Sequence, residues 1–598
     1  MGHDTMVLTA RDRAMLGGEM GAAAQMAMRI LVTMAGVYGA ERLLDIESAH
    51  IDGCLYHGYS GLEFAERLAA GGARVVVPTT LNVGAMDLLH PEVFRGTEQV
   101  GRWATRMMQA YEAMGCRPTF TCAPYQAMHR PALGAQVAWA ESNAIVFANS
   151  VLGARTNRYG DFIDICAALT GRAPDVGLHR TENRRGQILF RLVDIPQRLL
   201  GEDVFFPVLG YWLGARTGTR VPVIDGLRPE TTEDHLKALG AAAASSGGVA
   251  LFHAVGVTPE APSLAAAFQG WEPETVVDVR LEDLNETLGI LSTVPDGPID
   301  VVALGSPHFS LEEFARLLPL VEQYPPSPEV EFIVCTHRLA LAALQQRGWL
   351  ARLREAGVQV IVDTCVVVTP IVRAQGGVLM TNSGKFAHYS PGNIGLQVVY
   401  GSLEECIRSG AVGEVWRDNA LWLSDQAQAG RQQPTSRGSS PSDASPISGL
   451  GPSSVAGGQV LVGGYAAGQA LVLEAPLSLW GGLDPETGDI IDQRHPQWRS
   501  NVSRRMLVMP VGKGSSSASS ILLEAVRLET APAAILLAEP DGILALGAAV
   551  ARELYGQAPL VVVLDADTYQ SIRDGEPIRL DHDGQITTGV EGGLTLKK

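Results

Sequence analysis

VVALGSPHFSLEEFARLLPLVEQYPPSPEVEFIVCTHRLALAALQQRGWLARLREAGVQVIV, residues 301–362, holds three short apolar runs at regular intervals. Residues 301–304, 331–335 and 358–362 are rich in Val and Ile, and helical patterns occupy 311–324 and 339–356 between them. Continuous apolar runs, separated by helices, describe strands covered on both faces in a parallel sheet. Residues 74–77 (RVVV) are a further strand candidate, and 15–38 carries an amphipathic helical pattern. The expected class is α/β.

Composition bounds the function. The chain has 598 residues, 46% of them hydrophobic and 18% charged, with 46 Lys and Arg against 64 Asp and Glu, a net charge of −18. A chain of this length normally builds more than one core. Its acidity argues against nucleic acid or an anionic membrane as partner, since both require a basic surface. No apolar run reaches the ~18 residues of a membrane span. Residues 1–10 show no secretory pattern, so the expected location is the cytoplasm. Cys54, Cys116, Cys122, Cys166, Cys335, Cys365 and Cys406 are too scattered for a disulfide framework.

A boundary follows from residues 424–454, SDQAQAGRQQPTSRGSSPSDASPISGLGPSS, which offer a core almost nothing. This stretch reads as a flexible linker between a large part, 1–423, and a small part, 455–598. The small part shows strand patterns at 459–462, 468–473, 506–509, 534–537 and 560–564, with a helix over about 519–529.

Three constellations carry candidate chemistry. Cys122, Cys166 and Cys365 form no CxxC pair, so spacing alone favours buried apolar fillers over a metal centre. Cys365 follows an apolar strand, and strand carboxyl ends are where open α/β sheets place ligands. PVGKGSSSASS, 510–520, joins a strand to a helix but lacks Walker A spacing. It is either an anion site of backbone N–H groups or a polar turn capped by Ser. Third, WAESNAIVFANS and ARTNR, within 139–158, read as caps and bonded turns, or as a pocket wall with Arg155 or Arg158 clamping a carboxylate.

Several stretches together resemble the aconitase X family. SAHIDGCLYHG (48–58), VVPTTLN (76–82), PTFTCAPY (118–125), WAESNAIVFANSVLGARTNRYGD (139–161), CAALTGR (166–172) and TNSGKFAHYSPG (381–392) are similar to its large component. VLVGGYAAGQALVLEAPLSLWGG (460–482) and VMPVGKGSSSASSILLE (508–524) are similar to its small one. The order resembles the fused bacterial form, outside the linker, over essentially the whole chain.

The resemblance implies an aconitase-like, multi-lobed α/β large part and a small swivelling β/α domain. It implies dehydration of cis-3-hydroxy-L-proline to Δ1-pyrroline-2-carboxylate, whereas the two-component archaeal form is associated with phosphomevalonate. It also implies an iron–sulfur cluster held by Cys122, Cys166 and Cys365, with Cys54 in reserve. Ser306 stands where related chains often carry Cys, and Val366 where Pro is common, which favours a 2Fe–2S cluster. Ser515, after Gly514, takes the catalytic base position, with Lys513 beside it. Ser60, Thr80, Asn82, Ser142, Asn143, Arg155, Ser383 and Lys385 are the expected substrate contacts. The only partner expected is the small-molecule substrate, and the expected state is a monomer. The rival readings are another hydroxy-acid dehydratase and a non-enzymatic metabolite-binding protein.

Overall fold

The computed structural model describes residues 6–423, 458–581 and 584–588; the expected linker, 424–454, lies outside the described residues. The stretch 301–362 folds as its apolar runs indicate. Val301–Leu304, Glu331–Cys335 and Val358–Ile361 are parallel strands. With Val378–Thr381 and Gln397–Tyr400 they form a five-stranded, fully parallel sheet. Val301–Leu304 and Glu331–Cys335 are buried at every position, which is why their sequences do not alternate.

The intervening helices start where the local chemistry sets them. Ser310 and Glu313 form a reciprocal capping box at the head of Leu311–Gln323, which buries Phe314, Leu317, Leu318 and Val321. The pattern over 339–356 is two helices, Arg338–Gln346 and Trp349–Glu355, interrupted at Gly348 with φ +70°. The pattern over 15–38 likewise divides into Ala10–Gly17 and Ala22–Val37. Gly18 at φ +88° terminates the first, and its N–H returns to the Ala14 and Met15 carbonyls.

The expected strand at 74–77 is not formed. Val75 N–H bonds the Met114 carbonyl and Val76 N–H the Ala168 carbonyl, so the two donors serve different segments. Pro78 has no N–H to give, and the strand begins after it, at Thr79–Leu81.

The large part holds two more parallel sheets and a short antiparallel pair, Leu43–Asp45 with Arg172–Pro174. Ser48–Ile51 runs between Thr79–Leu81 and Val137–Trp139. Ile188–Leu192 runs between Pro222–Asp225 and Thr275–Val279, with His253–Ala254 at the far edge. The small part is a seven-stranded mixed sheet with Met506–Met509 at its centre. Its helix Ala518–Arg527 packs on Tyr59–Ala70, and Gly542–Tyr555 packs on Ala22–Val37. One apolar core accordingly includes Leu31 and Met34 from the large part and Leu522 and Val550 from the small. Among the described residues, no single helix is long and apolar enough to cross a membrane.

Helices Phe205–Thr217 and Glu233–Ser246 cross at backbone contact. A Cβ on Gly210 would stand 2.2 Å from the Leu239 carbonyl oxygen, whereas one on Gly289 meets nothing within 4 Å. Gly210→Ala is therefore expected to destabilise by about 1–3 kcal/mol through overpacking. Gly289→Ala, in the helix Leu281–Ile290, should be neutral or stabilising. Thermal melts of the two variants check this, and equal melting temperatures would contradict it.

Candidate active site at the seam of the two parts

Two parallel sheets aim their carboxyl ends at one seam. In the three-stranded sheet, Asp52 follows Ser48–Ile51, Asn82 follows Thr79–Leu81, and Glu141 lies two residues beyond Val137–Trp139. In the five-stranded sheet, the strand order reverses between Val301–Leu304 and Val378–Thr381. Open α/β sheets bind ligands outside such a switch point. Its two loops are tied together: the Ser383 hydroxyl donates to the Ser306 carbonyl.

Ser383 also caps the helix Gly384–Asn393, accepting the Phe386 N–H at 3.1 Å. That cap sends Lys385 across the seam to Glu141, with Nζ 2.5 Å from Oε1. The other Glu141 oxygen accepts the Ala144 N–H at 2.6 Å, at the head of Ser142–Ser150. Burial works against the Lys385 ammonium, but Glu141 and Cys122 outweigh it and raise its pKa.

The small part closes the seam. Residues 516, 520 and 524 are spaced by four and share one side of the loop–helix junction. The Ser516 hydroxyl donates to Asp52 Oδ2, and Ser517 reaches the same oxygen at 3.4 Å. Asn82 Nδ2 donates to the other Asp52 oxygen. The Ser520 hydroxyl donates to Asp161. Glu524 accepts the backbone N–H groups of Tyr59 and Ser60 at 3.2 and 2.9 Å. Burial, and then the carboxylates of Asp52 and Asp164, push the Asp161 pKa well above the usual range. Burial also raises Asp164 to about 7, against backbone N–H donors from Ile165, Gly53 and Asp52.

This closure delivers Ser515. Gly514 adopts φ +84°, and a Cβ there would press on Ser478 and Tyr389, so the turn requires glycine. The Ser515 hydroxyl accepts the Ser517 N–H at 3.2 Å. Arg158 donates to the Gly514 carbonyl. Ser515, Lys513, Arg158 and Asp541 line a cavity of about 10 Å³, space for about one water. Burial pulls the Lys513 ammonium below the ordinary lysine range, with Asp492 opposing and Arg494 reinforcing. The Tyr389 hydroxyl is buried beside Ser245.

Beside this seam lie two of the expected cysteines. Burial pushes Cys122 up to about 12; Glu141 and Cys365 add to the rise, while Lys385 and the His308 N–H oppose it. The His308 N–H donates to Cys122 Sγ at 3.2 Å. Burial also raises Cys365, opposed by Lys385 and by the N–H groups of Val367 and Val368. Cys335 is a third thiol in their field. Cys166 is placed elsewhere, fully buried in the helix Ile163–Thr170, where Asp164 and Glu553 are the charges that act on it. Cys54 lies in the field of Asp52 and Asp164, and its thiol donates to the Asn82 carbonyl at 3.2 Å. Among the described residues, no three His, Cys, Asp or Glu side chains surround a common metal position.

The expected substrate contacts divide in the same way. Asn82 bonds Asp52, Ser383 bonds the Ser306 carbonyl and Lys385 pairs with Glu141, while the expected catalytic pair, Ser515 and Lys513, lines one cavity. Asn143 supports the seam from behind, donating to the Cys122 carbonyl at 3.0 Å, and Ser142 opens the same helix. Thr80 is spent inside the sheet on His50 Nδ1, 2.8 Å away. Ser60 is covered by Glu524. Arg155 turns outward to the His179 carbonyl and the Thr181 hydroxyl, at 3.3 and 2.7 Å, and Arg158 takes the inward position instead. Asp52, Glu141 and Asp161 were not among the expected contacts. Asp52 and Glu141 follow parallel strands, a signal that sequence does carry; Asp161 has none, and its hydroxyl partner, Ser520, comes from the small part.

Four family models match in succession: the aconitase X first domain over residues 5–182, the second domain over 186–289, the third domain over 299–411 and the swivel domain over 455–588. A cis-3-hydroxy-L-proline dehydratase of Pseudomonas aeruginosa is 45% identical over 421 residues, 70% of this chain and 72% of that one. The phosphomevalonate dehydratase large subunit of Methanothermobacter thermautotrophicus is 39% identical over 409 residues, 68% of this chain and 99% of that one. The crystal structure of Thermococcus kodakaraensis aconitase X, in its holo-form, matches with a TM-score of 0.61 at 32% identity, covering 68% of this chain and all of that one.

The buried Asp161 carboxyl has a pH signature. A carboxyl whose pKa rises on folding binds protons that the unfolded chain has lost. Its stabilising effect is full below the unfolded value, near pH 4, and shrinks as pH climbs toward the folded value. Asp161→Asn is neutral at every pH. It is expected to lose less melting temperature than the wild type between about pH 5 and 8. Thermal melts across that range check this, and identical slopes would contradict it.

Proposed function

The chain belongs to the aconitase X family, and from that membership we propose that it is a hydro-lyase converting cis-3-hydroxy-L-proline to Δ1-pyrroline-2-carboxylate. The observation that carries the reading is the placement of Ser515. It arrives from the small part just before the head of a helix and shares a cavity with Lys513 and Arg158, while Tyr389, beside Gly514, lies in the field of Lys385, Arg158 and Glu141. The similarity to the Pseudomonas aeruginosa dehydratase supports the substrate.

Dehydration requires removal of the Cα proton and departure of the C3 hydroxyl. Ser515 Oγ takes the proton. As an alkoxide it is stabilised by the Ser517 N–H and by the positive end of the helix. Lys513 lines the same small cavity as Ser515, and burial lowers its pKa, which makes it the group to take the Ser515 hydroxyl proton in this reading. Arg158 and Lys385 receive the substrate carboxylate, and Glu141 keeps Lys385 aimed. The electron pair of the broken Cα–H bond becomes the C2–C3 double bond as the hydroxyl leaves. Proton transfer then converts the enamine to the cyclic imine. The one-water gap at Ser515 means that the small part must open to admit substrate and shut again to exclude water.

The donor set at the seam fits an iron–sulfur group in two of the three expected positions. Cys122 and Cys365 share one field, and N–H groups aimed at their sulfurs and the Lys385 ammonium favour thiolates. Cys166 does not join them. Cys335 stands in the same field as a third thiol, and a 2Fe–2S cluster remains the proposed type. Cys122 and Cys365 would hold the group, and when bound it supplies Lewis acidity toward the departing hydroxyl.

Ser515→Ala is expected to lower kcat by roughly 100-fold or more, the worth of a positioned base, with little change in KM. A spectrophotometric assay with cis-3-hydroxy-L-proline checks this, alongside phosphomevalonate as the rival substrate. Near-normal kcat in the variant would remove Ser515 as the base. Turnover of phosphomevalonate alone would overturn the substrate.

A further inference from the structure

His308 follows the loop after Val301–Leu304 and is completely buried. All its polar atoms are engaged, and three of them act on the segments that carry the two cysteines. Its backbone N–H donates to Cys122 Sγ at 3.2 Å. Its Nδ1 meets the hydroxyl of Thr121, next to Cys122, at 3.0 Å. Its Nε2 meets the carbonyl of Thr364, next to Cys365, at 3.1 Å. A carbonyl oxygen can only accept, so Nε2 carries the proton, and in the neutral ring Nδ1 accepts from Thr121.

The residue is itself held from behind. Its carbonyl accepts Gln126 Nε2 at 3.1 Å and Lys237 Nζ at 3.4 Å. Lys237 is a buried cation fixed by Asp234, 2.8 Å away, and by Glu313. Glu313 belongs to the capping box of Leu311–Gln323, so the anchor extends into a helix of the five-stranded layer. One imidazole thus joins the 121–122 segment to the 364–365 segment, with little freedom of its own.

We propose that His308 is a positioning residue that sets the separation and orientation of the Cys122 and Cys365 thiols, and through them the retention of the iron–sulfur group. This rests on the reading that these two cysteines hold that group. Groups that orient metal ligands are typically worth roughly 10–100-fold in metal affinity. Gln at this position keeps an N–H donor at about the distance of Nε2 from the backbone; Ala keeps none.

The test is iron and acid-labile sulfide per chain, with the visible spectrum, for anaerobically purified wild type, His308→Ala and His308→Gln. Thermal melts show that each variant is folded. The expected result is a brown wild type, an alanine variant that has lost most of its iron and sulfide, and a glutamine variant that keeps most of both with shifted absorption bands. A brown wild type and an equally brown, spectrally unchanged alanine variant would overturn the positioning role alone. A glutamine variant as depleted as alanine, though folded, would overturn the assigned contact to Thr364. A wild type without iron or sulfide would overturn the cysteine reading and this proposal with it.

Discussion

The contact of Ser516 and Ser520 with the carboxylates of Asp52 and Asp161 decides what the rest of the molecule can do. Those carboxylates belong to the large part and the hydroxyls to the small. Buried polar groups that lose their partners cost about 1–3 kcal/mol each, so these bonds favour the shut position over a partly open one that still excludes water. Glu524, on the same helix, makes two more bonds to the head of Tyr59–Ala70. Ser515 and Lys513 lie on the loop so fixed. In this arrangement they stand at the seam, and under the proposed mechanism closure and assembly of the site are one event.

The large part contributes the other half by a simple rule. Parallel strands end together, and their following residues project into one space. Asp52, Asn82 and Glu141 come from one such sheet and Ser383 and Lys385 from another. The Glu141–Lys385 pair then links the two lobes. A buried ion pair of this kind is weak grounds for stability but strong grounds for fixed orientation. The cysteine pair is built in the same manner, with Cys365 following a strand and His308 connecting it to Cys122.

Much of this was legible in the sequence. The apolar runs of 301–362 specify a parallel sheet because burial on both faces leaves no alternation. The loop at 510–517 stands out because a strand, two glycines and three serines lead into a helix. What was not legible depended on tertiary contacts. Nothing in the spacing of Arg155 and Arg158 says which turns inward; the Gly514 carbonyl decides it. Thr80 looks like a pocket residue until His50, on the neighbouring strand, occupies its hydroxyl. Cys166 resembles a ligand in its motif, yet its helix presents it to the core. Val75 and Val76 have strand propensity, but their N–H groups find separate partners and Pro78 delays the strand. In each case the tertiary surroundings overrode a local pattern.

The central claim is that the Asp52–Ser516 contact seats the loop that carries Ser515. The most direct measurement is a double-mutant cycle on kcat/KM with Asp52→Asn, Ser516→Ala and the double variant. Each single substitution should lower kcat/KM, and the double should be no worse than the more damaging single one. Losses that simply multiply would mean that the carboxylate and the hydroxyl act independently, and that this contact does not set the closed site.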